Sequence, residues 1–169
     1  MMRWIGIDPS FREGGFALCA LSLFAGKITV SFRRFAKYID FIEYMIEEKA
    51  SRAQHVEIAT VYCIEDSSMQ NCTFDKSGNQ AVAARKSRNV GMNQAASKLC
   101  GDIIERFAPD ATLIRLSPLR KGQKMTAEEF GLHVKINGFH CTFIKANKSP
   151  NQDQRDAYKL AFHAKSRIK

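Results

Sequence analysis

Paired cysteines at metal-binding spacing are missing from this sequence. Its five cysteines, Cys19, Cys63, Cys72, Cys100 and Cys141, include no C-x-x-C pair and lie mostly among apolar neighbours. An odd, scattered set argues against a disulfide framework and against a zinc site. It reads instead as reduced filler of a core. Uncharged apolar runs long enough to cross a bilayer are also lacking. The first residues carry one arginine and pass straight into a strand pattern containing Asp8, unlike a secretory leader, so a cytoplasmic location is expected. No internal repeat, low-complexity tract or linker breaks the 169 residues, so one domain over 1–169 is expected. Acids are scarce: Asp and Glu number 17 against 26 Lys and Arg, a formal charge of +9. Such a balance suits a polyanionic partner, which a basic surface attracts through counterion release at phosphates.

What is present is an alternation of strand and helix patterns. Trp4 to Asp8 reads as a first strand, followed by a turn through Pro9-Ser10 and Gly14-Gly15. Phe16 to Leu23 and Lys27 to Phe35 are two more, joined near Ala25-Gly26; the short joints predict an antiparallel meander. Asp40-Phe41-Ile42-Glu43 has capping-box spacing, and Phe41, Ile42, Met45 and Ile46 form a helical stripe ending near Ala50. Val56 to Ile64 is apolar almost throughout, as in a strand covered on both faces. Asp66 to Gly78 is polar and reads as a loop. Apolar residues from Met92 to Phe107 repeat at helical spacing, with Pro109 as the stop. Ala111 to Leu116 is a fifth strand, and Thr126-x-x-Glu129 starts a helix that Asn137-Gly138 ends. Phe139 to Ile144 fits a short strand or an extended connector. Asn151 caps a last helix that turns Ala157, Leu160, Ala161 and Ala164 inward. This order indicates an α/β fold, a mixed sheet flanked by helices.

The few acids sit at telling places. Asp8 and Glu65 end apolar strand patterns, and Asp153 and Asp156 open the last helix. Strands disfavour Asp, and a buried carboxylate is costly unless something pairs with it. Magnesium is such a partner, since it takes carboxylate and phosphate oxygens together. Parallel strands present their carboxyl ends to one crevice, where Asp8 and Glu65 would meet if the first strand and the Val56 to Ile64 strand lie side by side. Residues three apart on a helix share a face, which brings in Asp153 and Asp156. The pattern points to a metal-dependent nuclease. Taken singly, each acid also fits a turn, a strand end or a helix start, where acids favour the dipole.

Ile5-Gly6-Ile7-Asp8-Pro9-Ser10, Tyr62-Cys63-Ile64-Glu65 and Asp153-Gln154-Arg155-Asp156-Ala157 resemble the three acidic motifs of the RuvC-type Holliday junction resolvases, in the RNase H-like superfamily. Gly91 to Phe107 resembles that family's helix after the glutamate strand, and Pro118 to Gly138 its basic loop and following helix. The resemblance covers nearly the whole chain. It implies an RNase H-like fold with a five-stranded mixed sheet, the first three strands antiparallel, and helices on both faces. It further implies a bacterial or bacteriophage enzyme that cuts four-way junctions as a homodimer. Asp8, Glu65, Asp153 and Asp156 would be both catalytic residues and ligands of two Mg²⁺ or Mn²⁺ ions, giving 5′-phosphate and 3′-hydroxyl ends. Two departures are visible: Ser10 stands where the family has glycine, and the aromatic beyond the glutamate is replaced at best by Met69 or Phe74.

Arg85, Lys86 and Arg88, with Arg120, Lys121 and Lys124, are the foremost candidates for phosphate contacts, near helix starts or glycine turns. Arg33-Arg34 and the tail from Lys165 to Lys169 rank behind them. Other readings of the same residues are a nuclease for RNA–DNA hybrids, flaps or structured RNA, and a non-catalytic nucleic-acid-binding module. A sugar-kinase-like ATPase needs a second half for which this chain is too short.

Overall fold

A computed structural model describes residues 1–11, 15–54, 58–69, 80–118, 123–142 and 149–167, without the side chains of 52–54 and 86. Its strands are β1 (Met2–Asp8), β2 (Phe16–Phe24), β3 (Lys27–Phe35), β4 (Ala59–Glu65), β5 (Thr112–Leu116) and β6 (His140–Cys141). Its helices are α1 (Tyr38–Gln54), α2 (Gln80–Phe107), α3 (Ala127–Ile136) and α4 (Gln152–Arg167). One sheet runs in the order β5-β4-β1-β2-β3-β6. β1, β2 and β3 form the expected antiparallel meander, and β4 and β5 add in parallel beside β1.

Among the described residues the sheet has six strands where five were expected. The sixth, β6, lies in the Phe139 to Ile144 stretch and pairs parallel with β3 through Thr29↔His140 and Val30↔Cys141. Two residues carry too little periodicity to separate a strand from a connector. Two helices also start earlier than expected. α1 begins at Tyr38, and the Asp40 carboxylate accepts from the Lys37 backbone N–H at 3.0 Å. Asp40 is thus the third residue of the helix reaching back, not its cap. α2 begins at Gln80, twelve residues before Met92, because its exposed first turns carry no apolar stripe to announce them.

Side chains alternate between the two faces of the sheet. Ile5, Ile7, Phe16, Leu18, Phe35, Tyr62 and Ile64 pack toward α1 and α2. Trp4, Ala17, Cys19, Leu21, Val30, Val61 and Cys63 pack toward α4, together with its Ala157, Leu160, Ala161 and Ala164. α4 lies unusually near β1 because Gly6 has no side chain: a Cβ there would come within 2.0 Å of the Ala157 carbonyl oxygen and 2.3 Å of the Ala161 nitrogen. Near the other rim of the site, Gly15 has φ +76° and backs onto the Phe35 carbonyl. α3 carries the full capping box expected from Thr126 and Glu129.

Beyond β4, Asp66 anchors the chain. Its carboxylate accepts from the Ser68 amide at 3.0 Å, the Ser68 hydroxyl at 2.5 Å and Arg115 Nη1 at 3.3 Å. Burial pushes this carboxyl's pKa up, but those bonds outweigh burial and hold it below its ordinary 3.8. A depressed folded pKa stabilises the protein above the unfolded value, and that contribution is lost as pH falls through the folded one. The stability gap between the protein and Asp66→Asn, measured by urea unfolding, is therefore expected to be full at pH 7. It should close as the pH drops below about 3.8. A gap that stays constant with pH would contradict this account.

Candidate active site

The acids that end strands fall side by side. β1 and β4 pair through Ile7↔Ile64, so the next residues, Asp8 and Glu65, stand at neighbouring strand ends. Both have the parity that faces α4. The register extends the line across the sheet: Leu116 beside Glu65, Ala17 beside Asp8, and Arg34 beside Ala17. Above this row sits the first turn of α4. A polar cleft of about 330 Å³ opens there, lined by Asp8, Ser10, Glu65, Asn93, Lys124, Gln152, Asp153 and Asp156, among others.

Each acid is held differently. Ser97 on α2 is buried, and its hydroxyl lies 2.9 Å from the carbonyl oxygens of both Glu65 and Asn93. Its one proton serves either, which fixes the Glu65 backbone against α2. The Glu65 Oε2 atom is out of contact with solvent. Asp156 is only 5% exposed, and Gln152 Nε2 donates to its Oδ1 at 2.9 Å. Gln152 is in turn steadied by Arg155, whose Nη2 donates to Gln152 Oε1 at 3.0 Å. Asp153 has a half-exposed side chain, with Oδ2 3.9 Å from Arg34 Nη2.

The start of α4 is pinned from several sides. Asn151 Oδ1 accepts from the Gln154 amide, and Gln154 Oε1 accepts from the Asn151 amide, each at 2.9 Å. This reciprocal pair is a capping box in which Asn and Gln take the usual roles. Arg155 Nε donates to the Met125 carbonyl at 2.8 Å, and Lys159 Nζ donates to the Gln123 carbonyl. The residues on either side of Lys124 are thereby fastened to α4, which carries Lys124 to the cleft.

The donor set suits a hard divalent cation. All four candidates are carboxylates, with Asp156 buried and Asp8 and Glu65 partly so, and such oxygens are what Mg²⁺ and Mn²⁺ select. Among the described residues, no three His, Cys, Asp or Glu side chains lie close enough to form a ready-made cage.

Asp8, Glu65, Asp153, Asp156 and Lys124 thus share one cleft, drawn from separate parts of the chain. Arg85 and Arg88 lie on the exposed early turns of α2, the helix whose Asn93 lines the cleft. Arg120 and Lys121, the Lys86 side chain and Phe74 lie outside the described residues. Met69 is exposed at the end of a 3₁₀ turn after Glu65. Asn93, Gln152 and Arg155 were not foreseen; polar residues on helices carry no signal until a partner is known. His163 lines a separate, mostly apolar hollow with Tyr158 and Phe162. Asp102 pairs with Lys98 at 3.6 Å on the surface of α2. No helix among the described residues is long and apolar enough to cross a membrane.

No protein-family model and no curated protein matches this chain. Among solved structures it is similar to RuvC of T. thermophilus in complex with a Holliday junction substrate. That likeness has a TM-score of 0.48 and 14% identity over 99% of this chain and 96% of the other.

Proposed function

We propose that this chain is a metal-dependent endonuclease of the RuvC type that cuts branched DNA, four-way junctions above all. The reading rests on one observation: carboxylates from β1, β4 and the start of α4 line a single polar cleft, with Lys124 beside them. The acidic motifs in their order along the sequence support it independently.

In this reading Asp8, flanked in the row by Glu65, would supply a ligand carboxylate for Mg²⁺ or Mn²⁺. Glu65 and Asp156 would also hold metal, and Asp153 would complete the set. Two such ions, when bound, supply an activated water and stabilise the leaving 3′-oxygen, giving 5′-phosphate and 3′-hydroxyl ends. Gln152 keeps one Asp156 oxygen occupied and so aims the other. Lys124 offsets phosphate charge at the rim. Two matched nicks across a near-symmetric junction call for a homodimer with two sites.

The test is cleavage of a labelled immobile four-way junction, a flap, a duplex and an RNA–DNA hybrid in Mg²⁺ or Mn²⁺. Paired symmetric nicks confined to the junction are the expected result. Preference for the hybrid would move the assignment to a ribonuclease of the same fold, and cleavage of none would remove it.

A further inference from the structure

Arg34 lies in the row that carries the acids. From Glu65 the row runs through Asp8 and Ala17 to Arg34, each on the next strand. Neighbouring strands are about 4.8 Å apart, so the Arg34 backbone is roughly 10 Å from that of Asp8. Between them stands Ala17, which has no bulk to separate the two side chains. The Arg34 guanidinium comes to 3.9 Å from Asp153, with side chains 44% and 52% exposed. That is a long, wet ion pair, of the kind that is easily exchanged for a better partner. A phosphate is a better partner, because a guanidinium takes two of its oxygens in a planar fork.

The neighbouring Arg33 differs sharply. Its parity turns it to the opposite face, where its guanidinium lies 4.8 Å from the Tyr44 ring centroid and 5.7 Å from that of Phe35. Of two consecutive arginines, therefore, one is committed to the α1 side of the sheet and the other is directed to the acidic cleft.

Building on the nuclease reading, we propose that Arg34 is a phosphate-positioning residue. It receives a backbone phosphate next to the one being cut and, on doing so, gives up Asp153 to the site. In the free protein the two side chains lie within ion-pair reach of each other. When nucleic acid arrives, phosphate replaces the carboxylate as the partner of Arg34, and Asp153 is released as the strand is seated.

Binding of an immobile four-way junction by the full chain in EDTA, followed over a range of salt, tests this apart from catalysis. Arg34→Ala and Arg34→Gln are expected to lower the slope of log K against log salt by about 0.9, the share of one phosphate contact. Arg34→Lys should retain it. Arg33→Ala removes the same charge one residue away and should leave the slope unchanged. Asp153→Asn should tighten metal-free binding by up to about fivefold, the range for an exposed ion pair, and by less when Arg34 is alanine. An unchanged slope in Arg34→Ala, an equal fall in Arg33→Ala, or equal tightening by Asp153→Asn in both backgrounds would overturn the assignment of Arg34 and leave the nuclease reading standing. Failure of the unaltered chain to bind the junction would overturn both.

Discussion

Glu65→Gln is expected to reduce strand cleavage by well over about 100-fold, the upper range for losing a group that merely supports a ligand. Junction binding should survive. The substitution keeps the size of the side chain and one carbonyl oxygen but removes the charge that a divalent ion requires. Asp8→Asn and Asp156→Asn should behave alike, since all three acids line the same cleft. Stability separates this outcome from simple unfolding. Neighbouring carboxylates repel one another, so neutralising one should hold or slightly raise the thermal midpoint. Undiminished cleavage by Glu65→Gln or Asp8→Asn, with either Mg²⁺ or Mn²⁺, would dispose of the proposed site.

The second large effect belongs to a residue with no side chain. Gly6→Ala would push a methyl group into the Ala157 carbonyl and the Ala161 nitrogen, both main-chain atoms of α4 that cannot rotate away. Overpacking of a closed interior costs about 1–3 kcal/mol and more where backbone must move. For a chain of this size, about 3 kcal/mol lowers the melting temperature by roughly 6–12 °C. Cleavage should fall as well, because α4 carries Asp153 and Asp156 and would be lifted from the strand that carries Asp8. Gly131→Ala is the contrast: it adds a methyl in open space on α3 and should stabilise by about 0.5–1 kcal/mol. Equal behaviour of the two alanine variants would contradict the close approach of α4 to β1.

The strands that build the cleft were legible because their signals are local. β1 and β4 are dense apolar runs ending on acids, and the Ala25-Gly26 joint marks the β2–β3 turn, where both residues have positive φ. Strand direction puts Asp8 and Glu65 at one end of the sheet, and the pairing of β1 with β4 makes them neighbours. The supporting polar residues were not legible. Ser97 matters because its hydroxyl meets the Glu65 carbonyl 32 positions away, and Arg155 because it meets Met125 30 positions away. Neither contact leaves a mark on periodicity or composition. The first turns of α2 and the two-residue β6 escaped for a related reason: an exposed helix start and a very short edge strand bury too little to impose a pattern.

α4 is the last of these elements along the chain, yet it covers the first strand. A polypeptide interrupted before residue 151 would still contain Asp8 and Glu65 but would leave Cys19, Leu21, Val61 and Cys63 without their lid. Such a fragment is expected to be sticky and inert. In the proposed reading, cleavage therefore waits on the docking of α4, which brings Asp153 and Asp156 into the cleft with Asp8 and Glu65.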